Sequence, residues 1–180
     1  MSGRMMRGMA LAAMMAACAM PAGAEVKEAD ASGFTVSHAV TLRASPAQVW
    51  ALLVAPARWW SAAHSWSGSA ANFSLDPVAG GCFCERWEGG SVEHGRVLQA
   101  LPGRLLRVSG ALGPLQGEAL TGTLSITLAP EGEGTRLSVD YVVGGHARFP
   151  LRTVARAVDG VLGEQVQQLA AQIGPDAPAG

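Results

Sequence analysis

Glu85 is the side chain of this sequence best placed to do chemistry. It stands in Gly80-Gly81-Cys82-Phe83-Cys84-Glu85-Arg86-Trp87, where a strand following a glycine pair puts Phe83, Glu85 and Trp87 on one face. A carboxylate between two large aromatics on an inward face implies a cavity. Desolvation raises the pKa of such a group unless a cation reaches it, and Arg104, Arg107 and His94 are the candidates. Three roles stay open for it: acid or base, polar anchor for a ligand, or half of a structural ion pair with an Arg of a neighbouring strand.

Cys82 and Cys84 flank the same strand. A regular strand holds their Cα atoms about 6.6 Å apart with side chains parallel, near the upper limit for a disulfide. A bond needs a bulge, which Gly80-Gly81 could supply; free, shielded thiols are the expectation. Two thiolates need two more ligands to hold a metal, and the four His are widely scattered, so neither metal nor cofactor is expected. The sequence holds no G-x-S-x-G, H-E-x-x-H, C-x-x-C or P-loop pattern. Gly144-Gly145-His146 and Gly110 to Pro114 read as flexible loops, and His38 and His94 as structural histidines.

The elements that must position these residues are readable from periodicity. Phe34, Val36, His38, Val40 and Leu42 alternate with polar or small residues, as in a strand with one buried face. Ser45 is a helix N-cap with Pro46 in the first helical position, predicting a short helix to Val54 with Trp50 inward. Pro56 interrupts it; Arg58-Trp59-Trp60 forms a second turn, and 61–71 is a Ser/Ala-rich loop. From Phe73 to Val143, turn signals separate successive antiparallel strands. Pro150 to Ile173 is a long amphipathic helix with Leu151, Val154, Val158, Val161, Leu162 and Leu169 at helical spacing, stopped by Gly174-Pro175. A curved antiparallel sheet with this helix across its concave face is an α+β arrangement.

Residues 1–24 read as an export signal: Arg4 and Arg7, an apolar run from Met9 to Met20, and Ala22-Gly23-Ala24 as cleavage site. The run is short for a membrane span, which needs about 20 residues. Periplasmic or secreted location follows, the alternative being a lipid anchor through Cys18. Residues 25–32 read as a flexible arm, 33–174 as one domain and 175–180 as a disordered tail. Without the leader the chain carries 11 basic and 14 acidic residues, a net charge of −3 with no basic run, which argues against nucleic acid and anionic membrane surfaces as partners.

The order and spacing of Ala44-Ser45-Pro46 before Val49-Trp50, Trp59-Trp60, Gly80-Gly81 before Phe83 and Glu85, Gly95-Arg96-Val97, Pro102 before Arg104-Leu105-Leu106, and the terminal helix resemble the SRPBCC or START-like superfamily. This is the helix-grip fold of proteins similar to polyketide cyclases, Bet v-type allergens and Hsp90-ATPase-activator homologues. The resemblance implies a cavity between sheet and helix for a small hydrophobic or amphipathic ligand. Residues expected to converge there are Trp59, Trp60, Phe83, Glu85, Trp87, Tyr141, Val154 and Val158. A binding protein is the leading expectation. An enzyme of cyclase, dehydratase or hydrolase type, using Glu85 with His94 or Tyr141, is the alternative, and a co-chaperone-like interaction module the second.

Overall fold

The structure, a computed structural model, describes residues 23–173, with side chains from Val26 onward. Eight antiparallel strands form one sheet: β1 (Gly23–Ala29), β2 (Gly33–Leu42), β3 (Phe73–Leu75), β4 (Cys82–Trp87), β5 (Gly90–Leu101), β6 (Leu105–Ser109), β7 (Ala119–Glu131) and β8 (Gly134–His146), in the order β1-β2-β8-β7-β6-β5-β4-β3. Two helices accompany them, α1 (Pro46–Leu53) and α2 (Leu151–Ile173). Alternation along β2, β7 and β8 sends Phe34, Val36, His38, Leu124, Ile126, Leu137, Val139 and Tyr141 to one buried face. α2 covers that face.

Helix α1 starts where the cap chemistry requires. Ser45 Oγ accepts from the Gln48 backbone N–H, and the Gln48 side-chain carbonyl accepts from the Ser45 N–H at 2.9 Å, a reciprocal pair contributing about 1 kcal/mol. Thr135 Oγ1 donates to the Ala44 carbonyl at 2.7 Å, tying the start of β8 to the start of α1. Ser45→Ala removes the first anchor and leaves the second.

The leader expected over 1–24 lies outside the described residues except for Gly23 and Ala24, and the tail 175–180 lies outside them altogether. The arm expected over 25–32 is corrected. Residues 23–29 pair along β2 from Gly23 opposite Ala39 to Ala29 opposite Phe34, and the Asp30 carboxylate closes the turn by accepting from the Ser32 and Gly33 N–H groups. The unpaired edge of β2 recruits this strand, and no hydrophobic alternation in 25–32 announces it. No helix among the described residues is long and apolar enough to cross a membrane.

α2 divides its apolar residues between two tasks. Leu151, Ala155, Leu162, Val166 and Leu169 are buried in the core, whereas Val154, Ala157, Val158 and Val161 are turned to an open space beside Tyr141. Gly163 lets the helix close on β2: a Cβ there would lie 3.0 Å from His38 Cε1, and Asp159 Oδ1 sits 3.0 Å from His38 Nε2.

Candidate functional site

Glu85 is completely buried, and its carboxylate is the centre of the site. Antiparallel pairing with β5 fixes its direction, since Glu85 opposes Val92 and Phe83 opposes Gly95. Between those pairs the register slips, so that one extra residue of β5, His94, is accommodated. The bulge keeps His94, Gly95 and Val97 all buried although strict alternation would put His94 and Val97 on opposite faces. Gly95 is required there, because a Cβ would lie 2.6 Å from both the Ser109 carbonyl and Val108 Cγ1.

Four donors converge on the Glu85 carboxylate. Oε1 accepts from Ser65 Oγ and the Ser67 N–H, both at 2.6 Å; Oε2 accepts from the Trp66 N–H at 3.1 Å and stands 3.2 Å from His94 Nε2. Ser65 and Ser67 come from the loop 61–72, whose short 3-10 turns and Ser side chains leave backbone N–H groups free to point inward. Burial pushes the carboxyl pKa up, but the hydrogen bonds from Ser65, Ser67 and Trp66 outweigh it and hold the value at about 2. Desolvation does push the value up, as expected for an aromatic setting with no cation beside it, but donors from the loop, invisible as such in the sequence, take the place of the cation and reverse the sign.

His94 is the only one of the three suggested cations to reach Glu85. Arg107 is on the other side of the sheet with Ser125 and Gln99, and Arg104 is exposed in the β5–β6 turn. Burial pushes the His94 pKa below its ordinary value, against the pull of Glu85. Its ring stacks on Phe73 at 4.8 Å and 14° and leans on Phe83 at 5.1 Å. An ionised carboxylate only accepts, so the proton of the neutral imidazole is assigned to Nε2, leaving Nδ1 with a lone pair. The structural Glu–Arg pair is therefore replaced by a charge-assisted Glu–His contact.

Beside His94 opens a pocket of about 300 Å³ between the loop 61–66, the segment 112–115 and α2. Of the residues proposed from the sequence, Trp60, Tyr141, Val154 and Val158 line it, together with Trp66, Leu112 and Leu162. The other expected residues lie elsewhere. Trp59 is buried behind Trp60, its indole N–H donating to the Leu52 carbonyl at 3.0 Å. Phe83 is in the aromatic cluster under Trp60, at 5.3 Å. Glu85 touches the pocket only through Ser65, Trp66 and His94. Trp87 is half-buried at the end of β4 and packs across the turn on Gly90, where a Cβ would come within 2.5 Å of its ring.

Tyr141 lines the pocket with its ring, but its hydroxyl is spent. It donates to the Gly110 carbonyl and accepts from the Leu112 N–H, both at 2.9 Å, and burial pushes its pKa up to about 12. It serves as the anchor of the 110–117 segment rather than as an acid or base. Trp66, 55 % exposed, and His64, whose Nε2 is 2.9 Å from Glu164, are further lining residues, carried by the Ser/Ala-rich loop, where no local pattern marks them.

On the opposite face Cys82 and Cys84 are joined in a disulfide, with Cα atoms 5.5 Å apart. The expectation of free thiols is corrected, and so is the source of the distortion: the irregularity is at Phe83/Cys84 against His94, and not at Gly80-Gly81. Glu93 lies close to both sulfurs, but bonded cysteines offer no thiolate to a metal.

Residues 33–174 match the family described as polyketide cyclase / dehydrase and lipid transport. No curated protein matches the chain. Among solved structures, the Mll3558 protein from Rhizobium loti is similar with a TM-score of 0.58 at 22% identity, over 77% of this chain and 95% of that one. Ms6760 from Mycobacterium smegmatis gives 0.58 at 16%, over 87% and 99%, and the Aha1 dimer from Colwellia psychrerythraea 0.55 at 15%, over 77% and 95%. At these identities the structures speak for the fold, and they share the helix-grip arrangement of sheet and C-terminal helix. With the family match covering most of its length, the chain belongs to the polyketide cyclase / dehydrase and lipid transport family of the SRPBCC superfamily.

Proposed function

We propose that this chain is an exported binding protein for a small hydrophobic or amphipathic molecule, held between the sheet and α2. The observation that carries the reading is the pocket itself, walled by Trp60, Tyr141, Val154, Val158 and Leu162 and touched by few polar groups. Its volume of about 300 Å³ is at the lower end for ligand sites, which run from about 300 to 1,000 Å³. That favours a compact ring system or short chain over a two-tailed lipid. Export is supported by Arg4, Arg7, the apolar run and Ala22-Gly23-Ala24, and the Cys82–Cys84 disulfide suits an oxidising compartment.

A solvatochromic dye titrated into the protein should brighten and quench Trp emission, since Trp60 and Trp66 border the pocket. Val158→Phe, which fills the space from α2, should abolish the effect while the protein keeps a cooperative melt. Equal dye binding by wild type and variant would remove the pocket from the argument. The enzyme reading retains one support, the Glu85–His94 pair, because Tyr141 has no free hydroxyl and Glu85 no exposed oxygen.

A further inference from the structure

The pocket is apolar nearly everywhere, yet one of its walls carries an imidazole that the fold takes trouble to orient. His94 is 4 % exposed and lines the pocket. Its Nε2 is engaged by Glu85 at 3.2 Å, and its ring plane is fixed by Phe73 and Phe83. The β5 bulge exists at this residue, and the strictly required Gly95 follows it. Nδ1, by contrast, has no hydrogen-bond partner among the described residues. With Nε2 committed to Glu85, Nδ1 is the ring nitrogen that remains for the pocket His94 lines.

A buried acceptor left unpaired costs about as much as a lost hydrogen bond, so a site that presents one is selective for whatever supplies the donor. Building on the proposal that this pocket binds ligand, we infer that His94 Nδ1 is its polar subsite, and that the ligand is an apolar molecule bearing a hydrogen-bond donor such as an O–H group at the end that reaches it. The Glu85 carboxylate enforces the choice of donor over acceptor. By holding the proton on Nε2 it prevents the tautomer in which Nδ1 would donate, so a ketone or ether oxygen finds no N–H there. Ser65, Trp66 and Ser67, which hold the other lone pairs of Glu85, are positioning residues for this subsite. The ligand's hydrogen bond breaks no covalent bond; it satisfies the nitrogen and orients the molecule along Trp60 and Val158.

Three compounds of similar shape test it on the full chain: 2-naphthol, 2-methylnaphthalene and 2-methoxynaphthalene, each measured by displacement of the solvatochromic dye. The expected result is that 2-naphthol binds about tenfold more tightly than either analogue, and that this gap closes in His94→Phe while 2-methylnaphthalene keeps its affinity. Equal affinity of the three compounds for the wild type overturns the subsite and leaves the pocket standing. A gap that persists in His94→Phe assigns the acceptor to another group and overturns it as well. Binding of none of the three, or of the dye, sinks the pocket reading and the subsite together. Should His94→Phe fail to fold, the comparison of the three ligands in the wild type still decides, with Glu85→Gln as second variant: freeing the Nε2 proton should shrink the preference for 2-naphthol, and an unchanged preference counts against the inference.

Discussion

Replacing Glu85 with Gln changes one oxygen into an NH₂ group and nothing in volume, so its effect isolates the charge and its acceptors. In the wild type Oε1 takes the two 2.6 Å bonds from Ser65 and Ser67, and Oε2 faces the Trp66 N–H and the His94 N–H. Gln keeps its oxygen best where two short bonds arrive, which turns the NH₂ toward two donors. His94 escapes by moving its proton to Nδ1; the Trp66 backbone N–H has no such freedom. An unpaired buried N–H costs about 1–3 kcal/mol, and the two serine-loop bonds lose charge assistance worth about 1 kcal/mol each. Relief from burying a charge offsets part of this, leaving a net loss of about 3 kcal/mol. For a domain of this size that lowers Tm by roughly 6–12 °C. Differential scanning calorimetry reads the shift, and amide hydrogen exchange should show the loss of protection concentrated at residues 65–67. A melt within about 2 °C of the wild type would show that the four-donor cradle contributes nothing to the fold, and the assignment of Ser65, Trp66 and Ser67 as its anchors would go with it.

Stability should fall with pH in two stages, because both groups bind fewer protons in the folded protein than in the unfolded chain. Loss begins below 6.5, where unfolded His94 takes up a proton, and steepens from 4.5 down to about 2 as Glu85 is titrated, the second stage amounting to about 3 kcal/mol; urea melts across this range that show no decline below pH 4.5 would contradict the depressed Glu85 value. Tyr141→Phe should cost about 1–3 kcal/mol through the lost Gly110 and Leu112 bonds and leave 2-methylnaphthalene affinity within a few-fold, while an unchanged Tm would detach the hydroxyl from the 110–117 segment. The Cys82–Cys84 bond closes a very short loop, so the double Ser variant should lose only about 1–2 kcal/mol. Intact mass of the non-reduced chain should lie two hydrogens below the reduced value, and an unshifted mass would refute the bond.

Strand parity made most of the sheet legible, and it placed Glu85 inward with Phe83 because both stand on the even beat of one short strand. The cap at Ser45-Pro46 and the apolar spacing of α2 fixed both helices to within a residue or two. Parity fails at a bulge. On β5, Val92 and Val97 are both apolar but an odd number of residues apart, and that conflict is the sequence's own signal that a residue is inserted between them; with it His94 becomes an inward residue in its own right. The loop 61–72 was illegible for a different reason. Ser65, Ser67 and Ser69 are ordinary loop residues until a carboxylate is brought to them from the sheet, and no local pattern encodes that approach. Trp87 was misplaced by the same rule that placed Glu85: parity gives the face, but the last residue of a strand has left the region the helix covers.

The walls of the pocket are held in unequal ways, and that has a kinetic meaning. The loop 61–66 is pegged by Glu85, and the 110–117 segment by the Tyr141 hydroxyl; both pegs are buried polar contacts that open rarely. The first two turns of α2 have no such peg, since residues 151–158 make no side-chain hydrogen bond to a described residue and are held by apolar packing, with only an electrostatic attraction between Arg152 and Asp30 beside it. Polar ties reach the helix only further along, from Asp159 to Gln165. The leading end of α2 is thus the least tethered wall, and the one expected to yield first when a ligand leaves, like a door hung on the His38–Gly163 contact. Residence time of a ligand should follow the opening rate of that door and be nearly the same for ligands of different affinity limited by it. Shortening it should take only a change at Val154 or Leu151, without touching any residue of the Glu85 cradle.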